Sequence, residues 1–87
     1  NYFMSKKKIA LTPTIDVDAI LVKMEKKYDS EKMTTIDGVK IDFAENWVHL
    51  RKSNTEPIIR IYTEASSQKI ADDLADRFIA EIAEISN

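Results

Sequence analysis

Thr35-Ile36-Asp37-Gly38-Val39-Lys40-Ile41-Asp42-Phe43 is the stretch that decides the fold. Val39, Ile41 and Phe43 alternate with Lys40 and Asp42, the period-two pattern of a strand with one apolar and one polar face. Asp37-Gly38 just before it is a strong hairpin signal, because both residues tolerate the positive φ of a tight turn. Gly38 is the only glycine in the chain, and this placement accounts for it.

Toward the C-terminus, Ala44-Glu45-Asn46 makes a second tight turn into Trp47-Val48-His49-Leu50-Arg51. Val48 and Leu50 share one face of that strand and Arg51 falls on the other. Pro57 closes the next loop, and Ile58 to Glu64 returns as a strand with Ile59 and Ile61 on one side and Arg60 and Tyr62 on the other. Ser66 and Ser67 suit the cap of a last helix. Its apolar positions are Ile70, Leu74, Phe78, Ile82 and Ile85, with small Ala71, Ala75 and Ala83 allowing close approach and Asp72 and Asp73 expected in the first turn.

Toward the N-terminus, Tyr2 to Leu11 reads as an edge strand, with Lys6, Lys7 and Lys8 blocking unwanted pairing. Attraction of phosphate is the second reading of these lysines. Pro13 and Thr14 then break the pattern, and Asp16 or Thr14 caps a helix whose apolar positions are Val17, Ile20, Leu21, Met24 and Tyr28. Asp16 and Asp18 at its start and Lys26 and Lys27 near its end suit the helix dipole. Asp16-x-Asp18 lacks the further Asp, Asn or Gly of a calcium or magnesium loop. The order β-α-β-β-β-α predicts a single α+β domain over residues 1–87. Two helices cover one face of a four-stranded, mainly antiparallel sheet, leaving the other face or edge for partners.

Thirteen basic against fifteen acidic residues leave a net charge of −2, which argues against nucleic acid or an anionic membrane as partner of the whole domain. Without cysteine there is no disulfide framework, thiolate nucleophile or cysteine zinc site, in keeping with a reducing cytoplasm. His49, the only histidine, has no partner at metal-ligand spacing, so no metal site is expected here. No apolar run approaches membrane-spanning length. A start at Asn1 without an initiator Met suggests a piece of a longer chain.

The chemistry is concentrated in Arg51-Lys52-Ser53-Asn54-Thr55-Glu56-Pro57-Ile58-Ile59-Arg60. Within five positions lie a guanidinium fork, two hydroxyls and a carboxamide, and Arg60 returns a second guanidinium. Arg grips two oxygens of a tetrahedral oxyanion at once, and hydroxyls, amide and loop N–H groups take the rest. A phosphoryl group is the best-matched small ligand. Glu56 would repel it and is expected to turn away, pairing with an Arg or capping loop amides so that it fixes the donors without touching ligand.

Arg-x-Ser-Asn-Thr-Glu-Pro followed by Ile-Ile-Arg-Ile-Tyr-Thr-Glu-Ala resembles the phosphate-binding loop of the α-D-phosphohexomutases, in their C-terminal domain. Phosphoglucosamine mutases usually have Gly where this chain has Asn54, so the resemblance leans toward phosphomannomutase or phosphoglucomutase. It implies an isomerase that exchanges C1 and C6 phosphates of a hexose through a phosphoserine and a bisphosphate intermediate, with Mg2+ in the full-length enzyme. The serine, metal and sugar-recognition loops have no counterpart in this chain and are expected in upstream domains. By resemblance, Arg51, Ser53, Asn54 and Thr55 bind the non-reacting phosphate, Arg60 assists, and no residue here is catalytic. The alternative is a stand-alone, non-enzymatic module for a phosphorylated ligand or a protein partner. Nucleic-acid binding by a sheet face is the weaker third, since exposed aromatics do not cluster.

Overall fold

In the computed structural model, which describes residues 2–86, the Asp37-Gly38 hairpin forms, and it joins two strands. The elements are β1 (Phe3–Ala10), α1 (Val17–Lys27), β2 (Lys32–Thr34), β3 (Val39–Asp42), β4 (Trp47–Lys52), β5 (Ile58–Ala65) and α2 (Gln68–Ser86). The sheet has five strands in the order β1-β5-β4-β3-β2, and every pair is antiparallel. The expected count of four is therefore corrected by β2. Lys32-Met33-Thr34 is three residues long and turns only Met33 toward the helices, opposite Ile41, so it carries no alternation to read.

β1 is an edge strand, as its lysines suggested. From it the chain crosses through α1 to the opposite edge and returns as the meander β2-β3-β4-β5. Asn46 closes the 43–46 turn by accepting from the Phe43 N–H at 2.8 Å. Gly38 has φ +78°, the sole positive φ among the described residues, so Asp37 adopts an ordinary conformation.

Both helices cover the same face: α2 lies over β1 and β5, and α1 over β3 and β4. Beneath them the inward residues Ile41, Val48, Leu50, Ile59 and Ile61 are fully buried, with Met24, Phe78 and Ile82 from the helices. Asp16 caps α1 by accepting from the Ala19 N–H at 3.2 Å. Ser67 caps α2 through Ile70 N–H at 3.1 Å, so Asp72 and Asp73 fall in the second turn rather than the first. Ile70 is 44% exposed, a second correction: the buried stripe runs Ala71, Leu74, Ala75, Phe78, Ile82. Thr63, fully buried, is satisfied by donating to the Ala71 carbonyl at 2.7 Å.

The helices are tied where α1 ends. Tyr28 stacks on Phe78, centroids 5.2 Å apart, and meets Phe43 edge-on at 5.9 Å. Its hydroxyl donates to Glu81 at 2.6 Å and accepts from Arg77 at 2.8 Å, while Lys27 pairs with Glu81 at 2.8 Å. Burial pushes the Tyr28 hydroxyl up, and the Glu81 hydrogen bond adds to it. For Glu81, burial acts to raise the carboxyl, but donors from Lys27, Tyr28 and Arg77 outweigh it and hold it below the ordinary value.

Candidate functional site

The 53–57 loop leaves β4 at Lys52 and enters β5 at Ile58, so its base is a ladder rung: the Ser53 N–H donates to the Ile58 carbonyl at 2.9 Å. The Leu11 N–H donates to the Pro57 carbonyl at 2.7 Å, anchoring the loop to the end of β1. Within it the Thr55 N–H donates to Ser53 Oγ at 3.3 Å, and the two hydroxyls lie 3.5 Å apart. That local bond curls the loop and brings the two hydroxyls together. Asn54, Thr55 and Glu56 are exposed and Ser53 is half-buried, which suits capture of a ligand from solvent.

Arg51 and Arg60 are direct register partners of β4 and β5, on the face away from the helices. Their Cβ atoms are thus about 4.5–5.5 Å apart, and the two guanidiniums can converge on one anion. Nothing in the packing of the sheet calls for this pair, because like charges directly opposite are unfavourable without a counter-ion.

The counter-charge beside Arg51 comes from a residue the sequence reading had spent on the turn. Asp37 Oδ2 lies 3.1 Å from Arg51 Nη2, across a surface where both side chains stay substantially exposed. Glu56, expected to pair with an Arg or cap loop amides, joins no side-chain ion pair or hydrogen bond among the described residues; its carbonyl accepts from Ile58 N–H at 2.8 Å. His49 has a structural role, its ring Nε2–H donating to the Asp37 carbonyl. The hairpin register held the signal for Asp37: Val39 faces Leu50, which puts Gly38 beside Arg51 and Asp37 next to it.

Gly38 itself is pressed against β4, where a Cβ would stand 2.2 Å from the Leu50 carbonyl oxygen. Lys52 reaches the start of α1, pairing with Asp18 at 2.9 Å. Between α1, the 35–38 loop, Arg51 and Asn54 lies an open groove of about 330 Å³. Among the described residues no group of three or more His, Cys, Asp or Glu could hold a metal ion, so the Mg2+ implied by the resemblance finds no ligand set here.

Residues 6–81 match the family described as phosphoglucomutase/phosphomannomutase, C-terminal domain. The chain belongs to that family. Among the relatives of this phosphohexomutase domain, a phosphoglucosamine/phosphogalactosamine mutase of Sulfurisphaera tokodaii is 43% identical over 86% of this chain and 17% of its own length. A phosphoglucomutase/phosphomannomutase of Thermococcus kodakarensis is 45% identical over 64% of this chain and 13% of its own. A phosphomannomutase/phosphoglucomutase of Pseudomonas syringae pv. tomato is 33% identical over 78% and 15%. The chain thus spans less than a fifth of the length of these relatives. Hexosamine and hexose mutases match at similar identity, so the comparisons favour neither class.

Proposed function

We propose that Arg51, Ser53, Asn54 and Thr55, with Arg60 opposite Arg51, bind the non-reacting phosphate of a hexose phosphate, and that this is the C-terminal domain of a cytoplasmic phosphomannomutase/phosphoglucomutase. The observation that carries the reading is the Arg51–Arg60 cross-strand pair beside an exposed loop of two hydroxyls and a carboxamide. The guanidiniums neutralise the dianion and the loop donors satisfy its remaining oxygens. Holding that phosphate fixes the distance to the reacting end of the sugar, so binding energy far from the chemistry becomes orientation and rate. Closure of the domain over the sugar excludes water that would otherwise take the phosphoryl group. The serine, the magnesium loop and sugar recognition belong, in this reading, to upstream domains of the same chain.

The test compares Arg51→Ala and Arg51→Lys in the full-length enzyme. Charge-assisted hydrogen bonds contribute about 1.5–3 kcal/mol each, so Ala lowers kcat/KM roughly ten- to a few hundred-fold, with Lys in between because it keeps the charge and loses the fork. Tm barely moves, since the Arg51–Asp37 pair is a surface pair of about 1 kcal/mol at most. Normal kinetics with a lowered Tm would mean that Arg51 only ties down the 35–38 loop, and would remove the assignment.

A further inference from the structure

On the face of the sheet away from the helices, the strand registers set side chains in rows. Beyond Ala10 and Ile58 at the foot of the loop, the first row is Lys8, Arg60 and Arg51. The next is Lys6, Tyr62, His49, Lys40 and Thr34, and the third is Met4, Glu64, Trp47, Asp42 and Lys32. Of these rows the one nearest the loop carries only basic side chains, with Asp37 of the neighbouring hairpin beside Arg51 alone, while Glu64 and Asp42 lie in the row farthest from the loop. Lys7, of opposite parity, turns to the helix side and pairs with Asp76 at 2.6 Å. Lys6, Lys8 and Arg60 join no ion pair among the described residues. A chain of net charge −2 has thus placed unneutralised cations side by side across two strands, although like charges in register weaken a sheet. Guarding the edge accounts for lysine anywhere along β1, but neither for the alignment of Lys8 with Arg60 nor for Arg60 itself, which lies on an interior strand.

We propose that Lys6, Lys8 and Arg60 form an anion track, a capture surface on the open sheet face that draws a dianionic phosphomonoester toward the 51–55 loop. This rests on the reading of that loop as the phosphate site. Lys8 and Arg51 are two strands apart, about 10 Å, so they do not grip the same phosphate. They act together through their field, which at about 10 mM salt extends roughly 30 Å and at 1 M about 3 Å. A cationic face raises the local concentration of an anion and speeds its association, and the effect disappears with salt.

The experiment titrates the purified chain with glucose 6-phosphate, following the amide signals of Ser53 to Thr55, at about 10 mM and about 0.5 M salt. The Lys6→Gln/Lys8→Gln variant is expected to raise Kd roughly three- to ten-fold at low salt and to converge with the unaltered chain at high salt. Arg51→Ala weakens binding at both. Equal Kd for the double variant and the unaltered chain at both salts would overturn the track, and self-association of that variant would then leave edge protection as the lysines' role. A weakening that is the same at both salts would also overturn it, since contact and not field would be at work. Silence of Ser53 to Thr55 in the unaltered chain, even at high ligand concentration, would remove the phosphate reading and the track with it.

Discussion

Gly38→Ala is the substitution whose cost can be worked most directly from the structure. The backbone there has φ +78°, where an L residue pays about 1–2 kcal/mol against its Cβ. The new Cβ would stand 2.2 Å from the Leu50 carbonyl oxygen and 3.3 Å from Arg51 Cα, both backbone atoms. Leu50 is fully buried in an interior strand and held in register with Val39 and Ile61, so the hairpin must be the side that moves. Lifting it breaks the His49 bond to the Asp37 carbonyl, about 1 kcal/mol, and the exposed Arg51–Asp37 pair, at most about 1 more. The total is roughly 2–4 kcal/mol, and with about 4–8 °C per kcal/mol for a domain of this size the Tm falls by roughly 10–30 °C. Gly38→Asn separates the causes: Asn tolerates the left-handed region but carries the same Cβ, so it should recover no more than about half of the loss. Thermal unfolding followed by circular dichroism checks both. An Ala variant within about 2 °C of the unaltered chain, or full recovery by Asn, would show that the hairpin does not press on Leu50 as described.

At the opposite end of the sheet, Tyr28→Phe keeps the stacked ring and removes the hydroxyl between Glu81 and Arg77, which should cost about 1–2 kcal/mol and lower Tm by roughly 4–15 °C; an unchanged Tm would mean the network contributes only packing. The same network sets the pH dependence. Because the Glu81 carboxyl is held below its ordinary value of 4.5, its contribution is complete above that pH and is lost as pH falls through the depressed value, so urea midpoints should fall on acidification and Glu81→Gln should flatten that limb. Tyr28 works the other way: raised above 10.0, it favours the folded state below that pH and loses the contribution as pH climbs through the raised value, a limb absent from Tyr28→Phe.

What was legible beforehand followed from periodicity and turn chemistry. Val39-Lys40-Ile41-Asp42 and Val48-x-Leu50 announce strands because one face of this sheet is covered and the other is open, which is the condition for clean alternation. Lys32-Met33-Thr34 was not legible, since an edge strand of three residues with one inward side chain has no pattern to display. On α2 the small Ala71 and Ala75 were legible as points of close approach and are buried against β1 and β5, whereas Ile70, counted with the apolar stripe by its size, stands half out beside them. The loop donors were readable from residue type. Their counter-ion was not, because Glu56 is near Arg51 in sequence whereas Asp37 is near it only after the hairpin closes.

Under the proposed function, the domain separates stability from binding. β4 runs from Trp47, beside the Phe43 turn, to Lys52, where the donor loop begins, and α1 runs the opposite way, from Asp18 beside Lys52 to Tyr28 beside Phe43. The stacked rings and the partly buried Tyr28–Glu81–Arg77 network are thus placed at the end of the sheet away from the loop. The loop end holds mainly exposed pairs, Arg51–Asp37 and Lys52–Asp18, each of small energetic weight. An anion arriving at Arg51 therefore has little to displace. The guanidinium has five N–H donors, enough to keep Asp37 and still present a fork to phosphate oxygens, so the carboxylate orients the arginine without consuming it. An anchored end and a lightly held end joined by the same strands let the donors adjust to a ligand while their spacing stays set by the ladder rung between Ser53 and Ile58.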